Sequence, residues 1–490
     1  MLTWRHRSPD GGLPTLLLGA GQAGQAVLRA LRTTPGYGLT PVGFLDDDPR
    51  LRRVRGLRVL GRLDELSAVA RSVGAKAALV TIPSLPAGRI AEHIERAAGA
   101  GLLVRHLPSF LAAVERDLRL SDLRAVRIDE LLGRKEVHLV SARARALVAG
   151  RRVLVTGAGG SIGSELCRQL RRFDPAALYM LDHDESNLHG LHLELSGSGV
   201  LDNDGIIIAD LRDRARLAQV FADTRPELVF HAAAHKHLPL LERHPCEGVK
   251  TNVLGTQYLL DLANQYGAER FVLISTDKAA DPSSVLGATK RLAELIVQRA
   301  AGGPTCVASV RFGNVLGSRG SLLSVLAAQV ASGHPITVTH PNVTRFFMTV
   351  EEAVGLVLEA ASMAENAETF VLDMGDPVSI VDLVHRYAAA VHLPDVQIRY
   401  TGLRSGEKLN EKVFSDLETR VPTAHPKIWA TRATEAPADL PVLLEQLYAA
   451  AADNDVDATI ALLRKVLPEY QPSRYPQTPA SVGAPYPDGL

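Results

Sequence analysis

The stretch Arg152-Val-Leu-Val-Thr156 runs directly into Gly157-Ala-Gly159-Gly160-Ser-Ile-Gly163-Ser-Glu165. The first five residues are mostly apolar, which predicts a buried strand, and the glycines that follow predict a tight turn that opens a helix. In such a turn the missing side chains let a pyrophosphate approach backbone N–H groups at the positive end of the helix dipole. We therefore expect a dinucleotide to contact Gly157, Gly160, Ser161, Ile162 and Gly163.

An acidic residue follows this turn at the end of the next predicted strand. There the carboxylate of Asp182 would accept hydrogen bonds from the adenosine ribose hydroxyls, which argues against a turn that binds no ligand. Its charge repels a 2′-phosphate, so NAD is favoured over NADP, although a protonated His183 leaves NADP open. Further cofactor contacts are expected at the ends of the following strands, from Asp210, Leu211, Ala232 and Ala233.

The segments after this turn alternate between strand and helix patterns. Strand-like runs occur at 177–181, 205–209, 227–232, 270–275 and 306–311, separated by segments of helical periodicity. Such alternation is typical of an α/β fold with a doubly wound parallel sheet. Beyond Phe312 the pattern is irregular to about residue 430, which indicates a smaller C-terminal substrate-binding subdomain.

An earlier part of the chain repeats the pattern of strand and glycine turn. Thr15–Leu18 leads into Gly19-Ala-Gly21-Gln-Ala-Gly24, and the next predicted strand ends at Asp46, Asp47 and Asp48. We therefore predict two tandem Rossmann-like units. No reactive set of side chains follows in residues 50–125, so ligand sensing and a purely structural role are both open for the first unit.

The predicted domains follow from these patterns. Residues 1–14 form an N-terminal extension, 15–125 a Rossmann-like (CoA-binding-like) domain and 126–150 a connecting segment. Residues 151–430 form the NAD-binding catalytic domain with its substrate subdomain, 431–470 the C-terminal helices, and 471–490 a disordered tail.

The composition excludes several classes of function. The 490 residues contain 54 Lys and Arg against 54 Asp and Glu, so no net field attracts nucleic acid or an anionic membrane. The three cysteines form no CxxC pair, which fits a reducing compartment, and the cytoplasm is the expected location. No run approaches the roughly 18 uninterrupted apolar residues that a membrane-spanning helix requires.

Candidate reactive residues follow another predicted strand. Ile274-Ser275-Thr276-Asp277-Lys278 ends an apolar run, and Lys290 comes twelve residues after Lys278. In doubly wound sheets reactive residues gather at such carboxyl ends. The alternative for an Asp–Lys dipeptide is an ordinary surface ion pair.

Six stretches give the chain a resemblance to a known family. From about residue 150 to 425 it resembles the extended short-chain dehydrogenase/reductases, and within them the nucleotide-sugar 4,6-dehydratases of the CapD-like capsule and polysaccharide biosynthesis family. The larger members of that family add four membrane-spanning helices before the first glycine-turn domain. This sequence does not contain them, so two expectations are open: the protein is a naturally soluble form, or the start of the sequence as given omits those helices. The six stretches are Val155–Glu165, His231–Glu242, Ser275–Arg291, Arg311–Gly320, Thr344–Met348 and Gly402–Lys408.

The resemblance implies an NAD-dependent dehydration of a hexose without net oxidation. The cofactor removes hydride from C4 and returns it to C6, while a base takes the C5 proton and an acid assists departure of the C6 hydroxyl. In the family Asp is the acid and Lys the base, here Asp277 and Lys278. Thr276 is then expected to bond near O4, and Lys290 to hold the nicotinamide ribose. For these roles we expect the pKa of Asp277 to be raised and that of Lys278 to be lowered.

The sequence departs from the wider dehydrogenase pattern at Leu286. Most short-chain dehydrogenases place a tyrosine four residues before the lysine, and a leucine cannot accept a proton. The larger dehydratases commonly have methionine there, so we hypothesise that a bound water, with its pKa lowered by Lys290, replaces the phenol. This position and the two-domain length resemble the branch that retains the configuration at C5.

The resemblance also implies a UDP-sugar substrate. The leading candidate is UDP-N-acetylglucosamine, converted to a UDP-2-acetamido-2,6-dideoxy-4-keto-hexose for polysaccharide or glycan biosynthesis. Arginine offers paired donors to a diphosphate, although any one arginine can equally lie on a solvated face. The expected substrate-binding residues are Lys236, Asn314, Ser321, Arg345, Arg404 and Glu407.

Two other functions stay open. A nucleotide-sugar 4-epimerase shares the fold and the first hydride step, but it needs no acid–base pair at C5 and C6. A catalytically degenerate regulator that binds a nucleotide sugar is consistent with Leu286 and with the extra domain. No metal site is expected, because no carboxylate or cysteine stands at ligand spacing from His231, His235, His237 and His244. The resemblance to the family also implies a homo-oligomer.

Overall fold

The computed structural model describes residues 13–33, 39–82, 102–106, 124–125, 140–197, 204–316, 318, 322–331, 334–365, 367–390, 396–432 and 437–472. The chain divides into two compact units, Met1–Glu136 with Asp382–Gln397, and Val137–Val381 with Ile398–Leu490. Ser321, the connecting segment up to residue 139 and the tail beyond residue 472 lie outside the described residues. The domain boundaries expected from the sequence stay predictions.

The first unit is built on one mostly parallel sheet. Its strands are β1 (Leu13–Leu18), β2 (Leu39–Leu45), β3 (Arg53–Val54), β4 (Leu57–Gly61), β5 (Ala77–Val80), β6 (Leu103–His106) and β7 (Arg124–Ala125), in the order β3-β4-β2-β1-β5-β6-β7. Its helices are α1 (Gln22–Thr33), a 3₁₀ turn (Leu63–Glu65) and α2 (Leu66–Val73). On β1, Leu17 packs into one apolar cluster while Leu16 and Leu18 pack into another, so the sheet is buried on both faces.

The second unit contains the larger sheet. Its nine strands are β8 (Arg152–Thr156), β9 (Ala177–Asp182), β10 (Ile206–Ile208), β11 (Leu228–His231), β12 (Arg270–Ile274), β13 (Cys306–Arg311), β18 (Thr369–Leu372), β21 (Thr419–Pro422) and β22 (Ile428–Arg432). They lie in the order β10-β9-β8-β11-β12-β13-β18-β22-β21, parallel from β10 to β18 and antiparallel at β22 and β21. The predicted doubly wound α/β fold is confirmed in both units.

Helices cover both faces of this sheet. Strand residues alternate between two apolar clusters: Val153 and Val155 join one, Leu154 the other. The helices of the unit are α3 (Ala142–Val148), α4 (Ser161–Arg171), α5 (Glu185–Ser196), α6 (Arg214–Thr224), α7 (Leu238–Arg243), α8 (Pro245–Gly248), a π-helix (Val249–Leu254), α9 (Gly255–Tyr266), a 3₁₀ turn (Asp277–Ala279), α10 (Val285–Arg299), α11 (Leu322–Ala331), α12 (Val350–Met363), α14 (Leu440–Ala452) and α15 (Val456–Val466). One further helix is α13 (Ile380–Ala390), whose residues from Asp382 onward belong to the first unit.

Three short strand pairs follow β13 in the region that we expected to be irregular. They are β14 (Asn314–Leu316) with β17 (Phe347–Thr349), β15 (Ile336–Val338) with β20 (Ile398–Tyr400), and β16 (Thr344–Arg345) with β19 (Val378–Ser379). Within the part of the chain that the structure describes, no helix is both long enough and apolar enough to cross a membrane.

Candidate functional site

The turn between β8 and α4 requires glycine at two positions. Gly157 has a φ of +69°, and a Cβ built on it would lie 2.6 Å from the Cα of Ala233. A Cβ on Gly163 would lie 2.0 Å from the carbonyl oxygen of Gly157. Side chains are therefore excluded where the strand, the turn and the helix meet, and the exposed backbone of Gly160 begins the helix. This is the cradle that a dinucleotide pyrophosphate needs, and the residues present fit that group.

Asp182 is anchored beside this turn. Its Oδ2 accepts a hydrogen bond from the Gly159 N–H at 2.9 Å, and its Oδ1 accepts one from the Asp184 N–H at 3.0 Å. The side chain is buried, while that of His183 is exposed, with its Nδ1 3.1 Å from Asp182 Oδ1. The carboxylate is thus held at the end of β9, where the sequence places the ribose-binding residue.

The other expected cofactor contacts lie at the ends of strands that neighbour β8 and β9. Asp210 is half-buried and bound by the Arg212 guanidinium, whose hydrogen bonds lower the pKa of the carboxyl group. Leu211 is buried, and Ala232 and Ala233 directly follow β11. Because parallel strands end at one edge of the sheet, the structure brings these positions to the same edge as the glycine turn.

His231 has a structural environment rather than a metal-binding one. Its Nδ1 lies 2.8 Å from Thr156 Oγ1 and its Nε2 lies 2.9 Å from Thr256 Oγ1, which itself donates to the Asn252 carbonyl. We therefore assign the proton to Nε2. Burial, with the charge of Lys290, lowers the pKa of His231 to about 3, so the ring is neutral. The described residues contain no His, Cys, Asp and Glu group that could hold a metal ion.

The Thr276-Asp277-Lys278 segment follows β12, and the 3₁₀ turn Asp277–Ala279 begins directly after Thr276. Asp277 Oδ1 accepts hydrogen bonds from Thr276 Oγ1 and from Lys278 Nζ, both at 2.9 Å. Asp277 is 0% exposed, so the pair is not an ordinary surface ion pair. A Cβ at Gly313 would lie 2.8 Å from Asp277 Oδ2, and Asn314 Oδ1 lies 3.4 Å from Lys278 Nζ. The structure thus brings Asn314 to the acid–base candidates.

A second carboxylate, which the sequence analysis missed, faces the same lysine. Glu411 Oε1 lies 3.6 Å from Lys278 Nζ, and its side chain is only 3% exposed. Burial alone would lower the pKa of Lys278, but the charges of Asp277 and Glu411 raise it above its ordinary value. The lowered pKa expected from the sequence is therefore wrong for this arrangement, because that expectation counted burial and not Glu411.

Lys290 and Leu286 lie one turn apart on α10. Lys290 Nζ donates to the Ile274 carbonyl at 2.6 Å, and burial lowers its pKa to about 8. Leu286 is 5% exposed and belongs to the apolar cluster on its face of the sheet. The helix that carries both residues begins at Ser284, whose hydroxyl accepts a hydrogen bond from the Gly287 N–H at 3.1 Å.

A buried ion cluster, also missed, supports this region. Glu294 accepts hydrogen bonds from Ser275 Oγ at 2.6 Å and from the Arg311 guanidinium at 2.6 and 3.1 Å. Arg311, 0% exposed, also donates to Glu418 at 2.8 and 3.0 Å. The sequence signal for it is slight, since only Arg311 at the end of the strand predicted over 306–311 stands out as a charge in an apolar run.

The expected substrate-binding residues differ in their burial and in their contacts. Arg345 pairs with Glu407 at 2.8 Å and donates to the Leu409 carbonyl at 3.1 Å. Lys236 and Arg404 are exposed. The expected diphosphate contacts of these residues stay predictions.

Comparison with known proteins gives polysaccharide biosynthesis proteins, a nucleotide-sugar dehydratase and a nucleotide-sugar epimerase as relatives. A family model described as polysaccharide biosynthesis protein matches residues 153–433. The capsular polysaccharide biosynthesis protein CapD of Staphylococcus aureus is 38% identical over 423 residues, 85% of this chain and 71% of that protein. UDP-N-acetylglucosamine 4,6-dehydratase (inverting) of Campylobacter jejuni is 32% identical, over 54% of this chain and 78% of its own. UDP-glucose 4-epimerase of Rickettsia rickettsii is 30% identical over the same shares.

One solved structure is similar to this chain in both sequence and fold. The X-ray structure of Pen from Bacillus thuringiensis superposes with a TM-score of 0.54 and 30% identity, covering 59% of this chain and 90% of that one. The family match includes the glycine turn, the Thr276-Asp277-Lys278 segment and Glu411. Since it spans more than half of the sequence, the chain belongs to the polysaccharide biosynthesis protein family.

Proposed function

We propose that this protein is an NAD-dependent nucleotide-sugar 4,6-dehydratase that acts on UDP-N-acetylglucosamine. The proposal rests chiefly on one observation, the buried Asp277–Lys278 pair at the carboxyl end of β12. That strand is separated from β8, which leads into the glycine turn, by β11 alone. The product, a 4-keto-6-deoxy sugar nucleotide, serves polysaccharide or glycan biosynthesis.

The glycine turn and Asp182 are the cofactor site in this proposal. When bound, NAD supplies hydride removal at C4 of the sugar and hydride return at C6. Gly157, Gly160 and Gly163 leave the backbone open to the pyrophosphate. Asp182 accepts hydrogen bonds from the ribose and repels a 2′-phosphate, which favours NAD over NADP.

Asp277 and Lys278 move the protons. In the resting pair the proton lies on Lys278, and its transfer across the 2.9 Å contact to Asp277 produces a neutral amine beside a neutral acid. Once C4 is a ketone, the amine takes the C5 proton, the C5–H electron pair forms the C5–C6 double bond, and the C6–O bond breaks. Asp277 gives its proton to the departing hydroxyl, which leaves as water. After hydride reaches C6, the Lys278 ammonium returns a proton to C5. The proton that O4 lost when C4 was oxidised, taken by the water that Lys290 activates in this proposal, then passes to Lys278 and restores the resting pair.

The test is the mass of the product. We expect the full chain, incubated with NAD and UDP-N-acetylglucosamine, to release a sugar nucleotide lighter than the substrate by one water. An isomer of unchanged mass would show a 4-epimerase instead. Stabilisation by both ligands without any product would show a regulator.

We also propose that the configuration at C5 is retained, because Leu286 and the two-domain length resemble that branch. NMR of the product distinguishes the two configurations at C5. An inverted product contradicts retention and leaves the dehydratase proposal intact.

A further inference from the structure

We propose that Glu411 is a positioning residue that holds the Lys278 amine between two carboxylates, within reach of the C5 proton. The inference rests on the proposed dehydratase function. Lys278 Nζ is 2.9 Å from Asp277 Oδ1 on one side and 3.6 Å from Glu411 Oε1 on the other. The two carboxylate side chains are 0% and 3% exposed, so water does not substitute for either.

The segment that carries Glu411 is attached to the segment that carries Lys278. Ser283 Oγ donates to the Gly406 carbonyl at 3.0 Å, and Lys408 Nζ donates to the Ala280 carbonyl at 3.0 Å. Ser415 Oγ donates to Asp281. Glu411 lies between these contacts along the chain, so its distance from Lys278 is set by backbone and side-chain bonds on both sides of it.

Each carboxylate has one oxygen that the protein leaves without a partner. Asp277 Oδ2 and Glu411 Oε2 are buried and make no hydrogen bond within the described part of the chain. A buried carboxylate with an unpaired oxygen depends on a nearby cation for its stability, and the Lys278 ammonium lies beside both of these carboxylates. In the proposed reaction the C6 hydroxyl is the donor for Asp277, and Glu411 acts on the sugar only through the Lys278 amine.

Four charged groups act on the Lys278 amine. The Asp277 and Glu411 carboxylates favour the ammonium form, whereas the Arg345 guanidinium and the Lys408 ammonium oppose it. The same amine also donates a hydrogen bond to the neutral amide of Asn314 at 3.4 Å. Asp277 gives up its proton during the reaction, while Glu411 takes part in no bond change. Glu411 therefore holds the amine in place through proton removal and proton return.

The test compares three variants of the full chain. Glu411→Gln keeps the shape and removes the charge, Glu411→Asp keeps the charge at a longer distance, and Asp416→Asn is the matched control. Asp416 lies on the same segment, but it is exposed and pairs with Lys412 at 2.7 Å. Two readouts are measured for each variant: kcat as a function of pH, and the pH midpoint of Lys278 by NMR after reductive ¹³C-methylation. A Lys278→Arg sample assigns the resonance, and thermal unfolding confirms that each variant is folded.

We expect Glu411→Gln to lower kcat by about 100-fold, since a base displaced by about 1 Å loses that much. Removing the negative charge should also move the Lys278 midpoint and the rising limb of the pH profile to lower pH, by about one unit. Glu411→Asp should fall between this variant and the wild type, and Asp416→Asn should match the wild type.

The two proposals fail in different ways. If the wild type dehydrates the sugar and Glu411→Gln keeps both its kcat and its Lys278 midpoint, the role of Glu411 is overturned and the dehydratase stands. If the wild type releases no dehydrated product, the proposed function is overturned. The Lys278 midpoint in Glu411→Gln then tests the role of Glu411 by itself. An unshifted midpoint rejects that role, and a lowered midpoint supports the positioning of the amine by Glu411.

Discussion

The electrostatic environment of Asp277 is set by its immediate partners, since the side chain is 0% exposed and accepts hydrogen bonds from Thr276 and Lys278. Burial excludes the alternative of a solvated ion pair, which the sequence left open. Lys278 shows the limit of reasoning from burial alone. Its pKa is raised because two carboxylates outweigh desolvation, and one of them, Glu411, comes from a segment more than a hundred residues away.

Replacing Asp277 with Asn tests its role as the acid. The amide keeps the shape but has no carboxylic proton to give, so we expect kcat to fall by about 10²- to 10⁴-fold. NAD affinity should stay unchanged, because the Asp182 anchor is untouched. Product formation and NAD titration on the same sample provide the measurement. Wild-type turnover in this variant contradicts the assignment.

Replacing Leu286 with Tyr tests the hypothesis that water replaces the phenol. The site is buried, so the larger ring should cost about 1–3 kcal/mol of stability, while turnover stays measurable. Leu286→Phe is the matched control, with the same ring and no hydroxyl. If only the Tyr variant turns over the sugar, the natural protein is a degenerate enzyme.

At the scale of elements, the ion cluster of Glu294 and Arg311 joins α10 to β13 and, through Ser275, to the end of β12. It places the helix that carries Lys290 against the strand end that carries Asp277. Burial alone would raise the pKa of Glu294, but the Arg311 and Arg291 guanidinium groups lower it. The cluster therefore couples the position of the proposed acid–base residues to the charge of the Glu294 carboxylate.

We expect Glu294→Gln to lower the free energy of unfolding by about 3–5 kcal/mol at neutral pH, because it removes one of the two carboxylates that neutralise the buried Arg311 guanidinium. A lowered pKa gives stability that is complete above the ordinary pKa near 4.5 and is lost as the pH falls through the folded value. The variant should therefore lose less stability in acid than the wild type. Urea unfolding at several pH values measures both effects.

The control for Glu294→Gln is Glu194→Gln. Glu194 pairs with Arg168 on the surface and is 54% exposed, so its loss should cost less than about 1 kcal/mol. An equal loss in the two variants would contradict a special role for the buried cluster.

At the scale of the whole molecule, each unit contains a glycine turn next to an anchored aspartate. Asp46 Oδ2 accepts from the Ala20 N–H at 2.7 Å in the first unit, as Asp182 accepts from Gly159 in the second. The two turns differ in what lies against their first glycine: a side chain in the first unit and backbone atoms in the second. A Cβ on Gly19 would lie 2.2 Å from Ile82 Cγ1, whereas the corresponding neighbour of Gly157 is Ala233.

Because a bulky isoleucine side chain lies against the first turn, whereas the second turn meets only backbone atoms there, we expect the full chain to bind one NAD. Isothermal titration calorimetry gives the number of sites, and Asp182→Ala should weaken that single site. Asp46→Ala is the matched control in the first unit and should leave NAD binding unchanged. Two NAD sites per chain would contradict this prediction.

The sequence by itself determined the fold class, both glycine turns and the position of Asp277 and Lys278 at a strand end. These are local features: a strand, a turn and a helix N-terminus are written in consecutive residues, so apolar runs and glycine spacing suffice to predict them. The tertiary structure alone decided which charges surround the reactive amine. Glu411 reaches Lys278, and Arg311 reaches Glu294, only after distant segments have folded together, and electrostatic interactions depend on distance in space rather than along the chain.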